Sequence, residues 1–329
     1  VISRGLETAL LRGWYEGAWW TWLLRPLEAV YRGVAALRRL LYRLGVCKVY
    51  RSPVPVVIVG NITLGGTGKT PVIVALVEAL QARGLQPGVV SRGYGAGGGS
   101  SFPHTVSTNS RAADCGDEPL LIFQRTGVPC VVDPDRPSAV RSLLATHSVD
   151  IVLCDDGLQH YALARDFEIA VLDAERGVGN GFCLPAGPLR EPPSRLASVD
   201  ALLLRGGTAA ETGVSLDVDG VFALRPMPGQ SPPEVGARVH AVAGIGQPQQ
   251  FQATLTRMGY RVIAHNFPDH HRFSARDITT LDDAPVIMTE KDAVKCRAFA
   301  GANHWYLKVS ARLPDTVVER IAALATRTP

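Results

Sequence analysis

The period of the hydrophobic positions changes several times along the chain, and each change predicts an element. After Pro26, Leu27, Val30, Val34, Leu37, Leu41 and Leu44 recur at spacings of three and four. That places them in one helical stripe, with Glu28, Arg32, Arg39 and Arg43 on the opposite face. The apolar run over 54–59 reads as a short buried strand, and an apolar-periodic helix follows it to the neighbourhood of residue 83. Further strands are predicted at 88–91, 128–132, 150–155, 168–172 and 201–204, which makes a parallel sheet with helices on both faces. A second α/β unit begins near residue 238, with strands at 239–243, 261–264, 286–288 and 305–309 and helices near 249–258 and 314–325. Between the two units, residues 206–237 are rich in Gly and Pro and lack a strong period, as expected of a linker.

Composition narrows the class. Of 329 residues, 46% are hydrophobic and 19% charged, which is globular and the reverse of a disordered chain. The six cysteines form no C-x-x-C pair and no Cys/His cluster, so a structural zinc site and a disulfide framework are both disfavoured and reduced thiols are expected. The formal charge of +4 is unevenly divided: residues 1–51 carry net +6 and the remainder −2, so nucleic-acid binding by the body of the protein is not expected. Four of the five tryptophans, Trp14, Trp19, Trp20 and Trp22, share the basic segment. Glu16 and Arg25 interrupt its apolar run too early for a transmembrane span, and no cleavable signal pattern is evident. The helix after Pro26 has two readings open to it, docking of its Leu stripe on a neighbouring domain or peripheral attachment to an anionic membrane surface. Indole rings and arginines near the headgroups favour the second.

Chemistry enters with Gly60-Asn-Ile-Thr63-Leu64-Gly65-Gly66-Thr67-Gly68-Lys69-Thr70-Pro71, between the first strand and its helix. Strand, glycine loop and helix is the order of a phosphate-binding P-loop. Backbone N–H groups of Gly65 to Gly68 would surround phosphate oxygens, Lys69 would reach the outer phosphates of ATP, and the Thr70 hydroxyl would ligate Mg²⁺. Thr63 departs from the general pattern, which has Gly there. The run 150–157 delivers Asp155 and Asp156 from the end of an apolar strand, as a Walker-B element does for Mg²⁺. The expected architecture is therefore an N-terminal helical segment over 1–51, a P-loop NTPase-like domain over 52–205, the linker, and a smaller α/β lobe over 238–329 that closes a cleft. Residues 93–101 form a glycine-rich loop expected to be mobile.

Several motifs extend the pattern: Ser91-Arg92-Gly93-Tyr94-Gly95, Gly116-Asp117-Glu118-Pro119, Asp155-Asp156-Gly-Leu-Gln159-His160, Gly179-Asn-Gly181, Leu184-Pro-Ala-Gly-Pro-Leu-Arg190-Glu191, Phe267-Pro-Asp269-His270 and Thr289-Glu290-Lys291-Asp292. Together with the P-loop, in this order, they resemble the tetraacyldisaccharide 4′-kinase (lipid A 4′-kinase) family, in which Thr63 is the usual form of the loop. The resemblance implies a peripheral inner-membrane enzyme on the cytoplasmic face that uses ATP and Mg²⁺ to phosphorylate the 4′-hydroxyl of a tetraacylated disaccharide 1-phosphate, giving lipid IVA, with no obligate protein partner. It implies Asp117 as catalytic base and His270 as the partner that tunes and orients it, beside Lys69. The nucleotide loop is Thr63 to Thr70; Glu118 joins Thr70, Asp155 and Asp156 as a metal candidate; Arg92, Gln159, Arg190 and Glu191 are placed with substrate and phosphates. Alone, Asp117 and Glu118 before Pro119 would read as a helix cap, and Glu290, Lys291 and Asp292 as structural. A membrane-associated regulatory ATPase of the partitioning type is the alternative, although its loop carries lysine where this chain has Leu64. A non-catalytic nucleotide sensor is a third reading.

Overall fold

A computed structural model describes residues 9–94 and 101–326. Most of the glycine-rich loop, residues 95–100, lies outside them.

The sheet is built outward from strand β1 (Val56–Gly60), whose five residues are all buried. It pairs in parallel with β5 (Ile151–Asp155) on one side and β6 (Phe167–Asp173) on the other. A strand buried on both faces must be apolar throughout, which is why Val56-Val-Ile-Val59 shows no alternation. Beyond β5 come β2 (Pro87–Ser91), β4 (Cys130–Val132) and the short antiparallel β3 (His104–Thr105); beyond β6 lies β7 (Ala201–Arg205). Helix α1 (Arg25–Arg43) precedes β1, α2 (Lys69–Gln81) follows it, and α3 (Asp117–Thr126) and α4 (Arg136–Thr146) flank β4. Val72, Ile73, Leu76, Val77 and Leu80 of α2 are buried against one face of the sheet; Ala139, Val140 and Leu143 of α4 cover the other. Each such aliphatic side chain contributes roughly 1.5–3 kcal/mol.

The second lobe contains β9 (Arg238–Ala243), β10 (Arg261–Asn266), β11 (Val286–Thr289) and β12 (His304–Arg312), with helices α5 (Pro248–Arg257) and α6 (Glu290–Cys296). Two features differ from the sequence reading. The stretch expected to be a linker contains an 11-residue strand, β8 (Gly213–Ala223), antiparallel to β12 over most of its length and parallel to β7 through Leu204↔Gly213 and Arg205↔Val214. It joins both halves into one twelve-stranded sheet among the described residues. Val214, Leu216 and Val218 do alternate with Ser215, Asp217 and Asp219, but glycines and prolines around them mask the period. The last helix, α7 (Asp315–Ala325), returns to the first lobe, where Val317, Val318 and Ile321 join the core of α2.

Helix α1 docks the wrong way round for an ordinary surface helix. Leu27, Val30, Val34, Leu37 and Leu44 are exposed, while Glu28 is only 2% exposed. Glu28 accepts the Cys183 N–H (3.0 Å) and pairs with Arg25 (2.9 Å), and the Tyr31 hydroxyl donates to the Arg190 carbonyl (2.9 Å). The side carrying Glu28 and Tyr31 is thus the docked one, although Arg32 and Arg43 stay exposed, and docking of the Leu stripe on a neighbouring domain is overturned. Of the tryptophans, Trp14 is buried and donates to the Pro185 carbonyl (3.1 Å); Trp19 and Trp22 stand exposed. Cys115, Cys130, Cys154, Cys183 and Cys296 are buried and Cys47 is half-buried, all as free thiols.

Candidate active site

The glycine loop turns on Gly65 and Gly68, whose φ angles of 98° and 80° favour glycine. Gly68 also has no room for a side chain: a Cβ would lie 2.4 Å from Cδ of Arg205. Gly68 precedes α2 without a side-chain cap, so the helix start keeps free N–H groups aimed at the loop. Asn61 braces the turn from inside, donating to Thr67 Oγ1 (3.2 Å), while its carbonyl oxygen accepts from Lys69 Nζ (3.4 Å). The first part of the loop is not free for phosphate. Thr63 bridges to Leu189, and the Leu64 N–H donates to the Pro188 carbonyl (2.8 Å). Of the eight residues Thr63 to Thr70, the stretch from Gly65 to Gly68 leaves its backbone N–H groups toward the loop.

Strand β5 ends at two carboxylates with opposite surroundings. Asp155 is buried; it accepts from Ser91 Oγ (3.1 Å), and its Oδ1 has no hydrogen-bond partner. Burial, with the negative charges of Glu118 and Asp156 nearby, raises its pKa to about 7 against the pull of Lys69. Asp156 adopts a left-handed conformation (φ 48°) and meets Lys69 (3.3 Å) and both contacts of Arg190 Nη1 (2.9 and 3.1 Å). Burial alone would raise its pKa, but Lys69 and Arg190 hold it far below the carboxylate range. A divalent cation fits this surrounding, because it would satisfy the orphaned Asp155 oxygen and relieve the crowded negative charge. Among the described residues no three His, Cys, Asp or Glu side chains converge as a ready-made metal site. Such a site would need the Thr70 hydroxyl, phosphate and water as well, as Mg²⁺ sites commonly do.

Asp117 opens helix α3 after Gly116, whose φ of 93° and closeness to the Tyr94 carbonyl exclude a side chain. It lies 153 residues from His270 in sequence, yet both its oxygens are 3.1 Å from His270 Nδ1. His270 is held in a left-handed conformation (φ 58°), with the Tyr94 ring against it at 4.8 Å. Asp156 and His270 are thus the two non-glycine residues with positive φ among the described residues. Lys291 Nζ, well buried, contacts Glu118 (3.0 Å), His270 Nε2 (3.3 Å), Asp269 (3.4 Å) and Asp117 (4.0 Å), and Lys295 stands 3.6 Å from Asp117. Burial pushes the Asp117 pKa up, but His270, Lys291 and Lys295 outweigh it and bring the group down to about 2. For His270, burial acts downward and the hydrogen bond to Asp117 prevails, so its pKa is raised.

The remaining expected residues divide. Gln159 donates to the Asn61 carbonyl (3.2 Å) and to Glu191 (2.9 Å), and Glu191 is further bound by the Tyr161 hydroxyl. Glu191 is therefore a buried brace behind the loop, and it offers no open ligand position in this arrangement. Arg92 is exposed at the end of β2. Sequence reasoning gave no role to Lys295, Asn61, Ser91 and Tyr161 and kept Lys291 open between a structural and a catalytic role; the (i, i+4) spacing of Lys291 and Lys295, on one face of α6, was the signal for that pair. The rest of the Thr289 to Asp292 run is structural. Thr289 caps α6, Asp292 accepts from the Gly244 N–H (2.8 Å), and Glu290 pairs with Arg125 of α3 (2.8 Å), tying the lobes together. Nearby, Gly246 lies so close to the P-loop that a Cβ would be 3.4 Å from the Gly66 nitrogen.

The family model described as Tetraacyldisaccharide-1-P 4′-kinase matches residues 20–326. The tetraacyldisaccharide 4′-kinase of Pseudomonas aeruginosa strain LESB58 is 52% identical over 314 residues, covering 92% of each chain. That of Azotobacter vinelandii is 52% identical over 318 residues, covering 93% of each. Among solved structures, the apo form of LpxK from Aquifex aeolicus in complex with ATP superposes with a TM-score of 0.77 at 27% identity, over 94% of this chain and 99% of that one.

Proposed function

The chain belongs to the tetraacyldisaccharide 4′-kinase family, and from that premise we propose how its own residues carry ATP-dependent phosphorylation of the 4′-hydroxyl of tetraacyldisaccharide 1-phosphate in lipid A biosynthesis. The observation that carries the assignment of roles is the Asp117–His270 pair facing the P-loop cleft from opposite lobes. The partitioning-type ATPase reading has no support left, since the family match extends through the second lobe.

The γ-phosphate of ATP lies against the N–H groups of Gly65 to Gly68, with Lys69 on its outer oxygens. Lys69 is already close to that position, because its present partners, Asp156 and Asn61, hold it at the mouth of the loop. Arg190 keeps Asp156 paired when Lys69 turns to the nucleotide. Thr70, Asp155, Asp156 and Glu118 are the groups that would hold Mg²⁺, which supplies charge neutralisation on the β- and γ-phosphates when bound. Arg92, exposed at the end of β2, would meet phosphate from the solvent side.

Asp117 takes the proton of the 4′-hydroxyl as that oxygen forms its bond to phosphorus and the bond to ADP breaks. A carboxylate held near pKa 2 is a weak base, but a loose transfer state asks for proton acceptance only late, and the arriving phosphate charge raises the pKa of Asp117. What the surroundings provide is orientation: Nδ1 of His270 fixes both carboxylate oxygens, and the lysines of α6 keep the group ionised.

No described helix is long and apolar enough to cross a membrane. Exposure of the α1 stripe, with Trp19 and Trp22 beside it, supports peripheral attachment to the anionic inner-membrane surface on the cytoplasmic side, where an acylated acceptor resides. The test is incubation with γ-labelled ATP and the tetraacylated disaccharide 1-phosphate. Label enters the lipid at the 4′-position; ATP consumption without labelled lipid would refute the reading.

A further inference from the structure

Arg205 ends β7 beside Asp173, its register partner at the end of β6, so the two side chains leave the same face of the sheet at its carboxyl edge. The P-loop rises from that edge too, since β6 also pairs with β1 up to Gly60. The stem of Arg205 lies against Gly68 and fills the space that a side chain there would need. Gly68 holds its φ of 80° at this contact and is the residue before Lys69. The guanidinium is fixed from several directions. Nη2 donates to Asp173 Oδ2 and to Gln247 Oε1 (3.1 Å), and Nη1 donates to Gln250 Oε1 (2.7 Å). Gln247 closes a ring by donating to Asp173 Oδ2 (3.1 Å). The other oxygen of Asp173 accepts from the N–H groups of Glu175 and Arg176 (2.9 and 3.1 Å), which holds the anchor itself.

Two details set this cluster apart from an ordinary ion pair. Gln247, buried at the start of α5, and Gln250, half-buried on its first turn, belong to the second lobe, and a pair formed only to neutralise Asp173 would need neither. Arg205 Nε, moreover, is buried with no hydrogen-bond partner among the described residues, so the side chain stays against Gly68 with one donor unmet. The same β9–α5 turn brings Gly246 against Gly66, and the second lobe thus reaches both ends of the stretch from Gly66 to Gly68. A loop that works through backbone N–H groups and is rich in glycine has few side chains of its own to hold its shape. Its neighbours must do so.

We propose that Arg205 is a positioning residue for the nucleotide loop, held against Gly68 by Gln247 and Gln250, so that the second lobe sets the shape in which the loop meets ATP. The inference rests on the reading of this loop as the ATP site. Arg205 acts through Gly68 and touches no reacting atom. Without it the glycines sample more conformations, ATP has to order them on binding, and affinity falls.

The test is ATP affinity by calorimetry on the full chain, with Mg²⁺ and without acceptor, alongside kcat and KM for both substrates. Arg205→Met weakens ATP binding about tenfold and Gln250→Leu about threefold, and both leave KM for the acylated acceptor unchanged. Because Gln250 acts through Arg205, the combined variant binds ATP no more weakly than Arg205→Met alone. The buried residues of α5 are Phe251 and Leu255, so Gln250→Leu keeps the parent thermal midpoint and decides the matter if Arg205→Met does not fold. Unchanged ATP affinity in Gln250→Leu, multiplied effects in the combined variant, or an equal rise in KM for ATP and acceptor overturns the proposal. So does a fall in kcat at unchanged ATP affinity, which would place the effect on the transfer step. If the unaltered protein binds ATP but passes no label to lipid, the kinase reading falls and this assignment stands; if it binds no ATP, both fall.

Discussion

At the residue scale the decisive contact is Asp117 with His270, and two measurements test it. Asp117→Ala lowers kcat by about 100- to 10,000-fold, the usual contribution of a positioned base, while ATP affinity by calorimetry stays close to that of the parent. Near-normal turnover would remove Asp117 as the base. His270 gives the pH dependence. Its pKa is raised above 6.5, so its contribution to folding stability is fully present below 6.5 and is lost as pH rises through the folded value. Asp117 behaves oppositely: its contribution is present above 3.8 and is lost as pH falls toward about 2. Neutral His270, with Nδ1–H on Asp117 and Nε2 free to accept from Lys291, is the form suited to transfer. Hence kcat/KM climbs with pH along a limb centred above 6.5, and this limb disappears in His270→Gln; a limb that persists in the variant would assign it to another group. The pairing was legible in the sequence only through the family resemblance, since no spacing rule connects residues 153 apart. Lys295 went unnoticed because a lysine on a short helix ordinarily signals a solvated face.

At the scale of elements, periodicity located the buried strands and the helix after the glycine loop, because a strand buried on both faces or a helix packed on one has little freedom in its pattern, but it gave no helix for α3, α4 or α6. It missed the role of β8, which is half-buried, twisted by a register shift opposite Lys308 and Val309, and bordered by turn residues. It also assigned α7 to the wrong lobe, since a helical period reports an apolar face without naming the surface that covers it. The lobes are joined by Arg125, which reaches from α3 to Glu290 (2.8 Å), to Ser310 (3.0 Å) and to the Val309 carbonyl (3.3 Å). Removing one partner of a largely buried pair leaves the other charge uncompensated, so Arg125→Met destabilises the protein by about 3–5 kcal/mol in urea unfolding. A change below about 1 kcal/mol would mean that water replaces the pair.

For the whole molecule, charge and hydropathy divide the work. The candidate site sits in a sheet shared by two lobes, and α1 presents its apolar side outward, the surface we propose for membrane attachment. Replacing Leu27, Val34 and Leu37 together with Gln shifts the protein from sedimenting vesicles to the supernatant without lowering its thermal midpoint, because none of the three packs on the core. Unaltered co-sedimentation would assign attachment to another surface. The cysteine distribution adds a practical handle. Burial has pushed up the pKa values of Cys115, Cys130, Cys154, Cys183 and Cys296, which withdraws their thiolates from reaction. Cys47, four residues past the end of α1, is half-buried. The native chain therefore takes up one equivalent of maleimide under folding conditions, and a fluorophore delivered this way sits just past the end of α1. Its emission would change as acceptor arrives, making the unmutated enzyme its own optical reporter of lipid engagement.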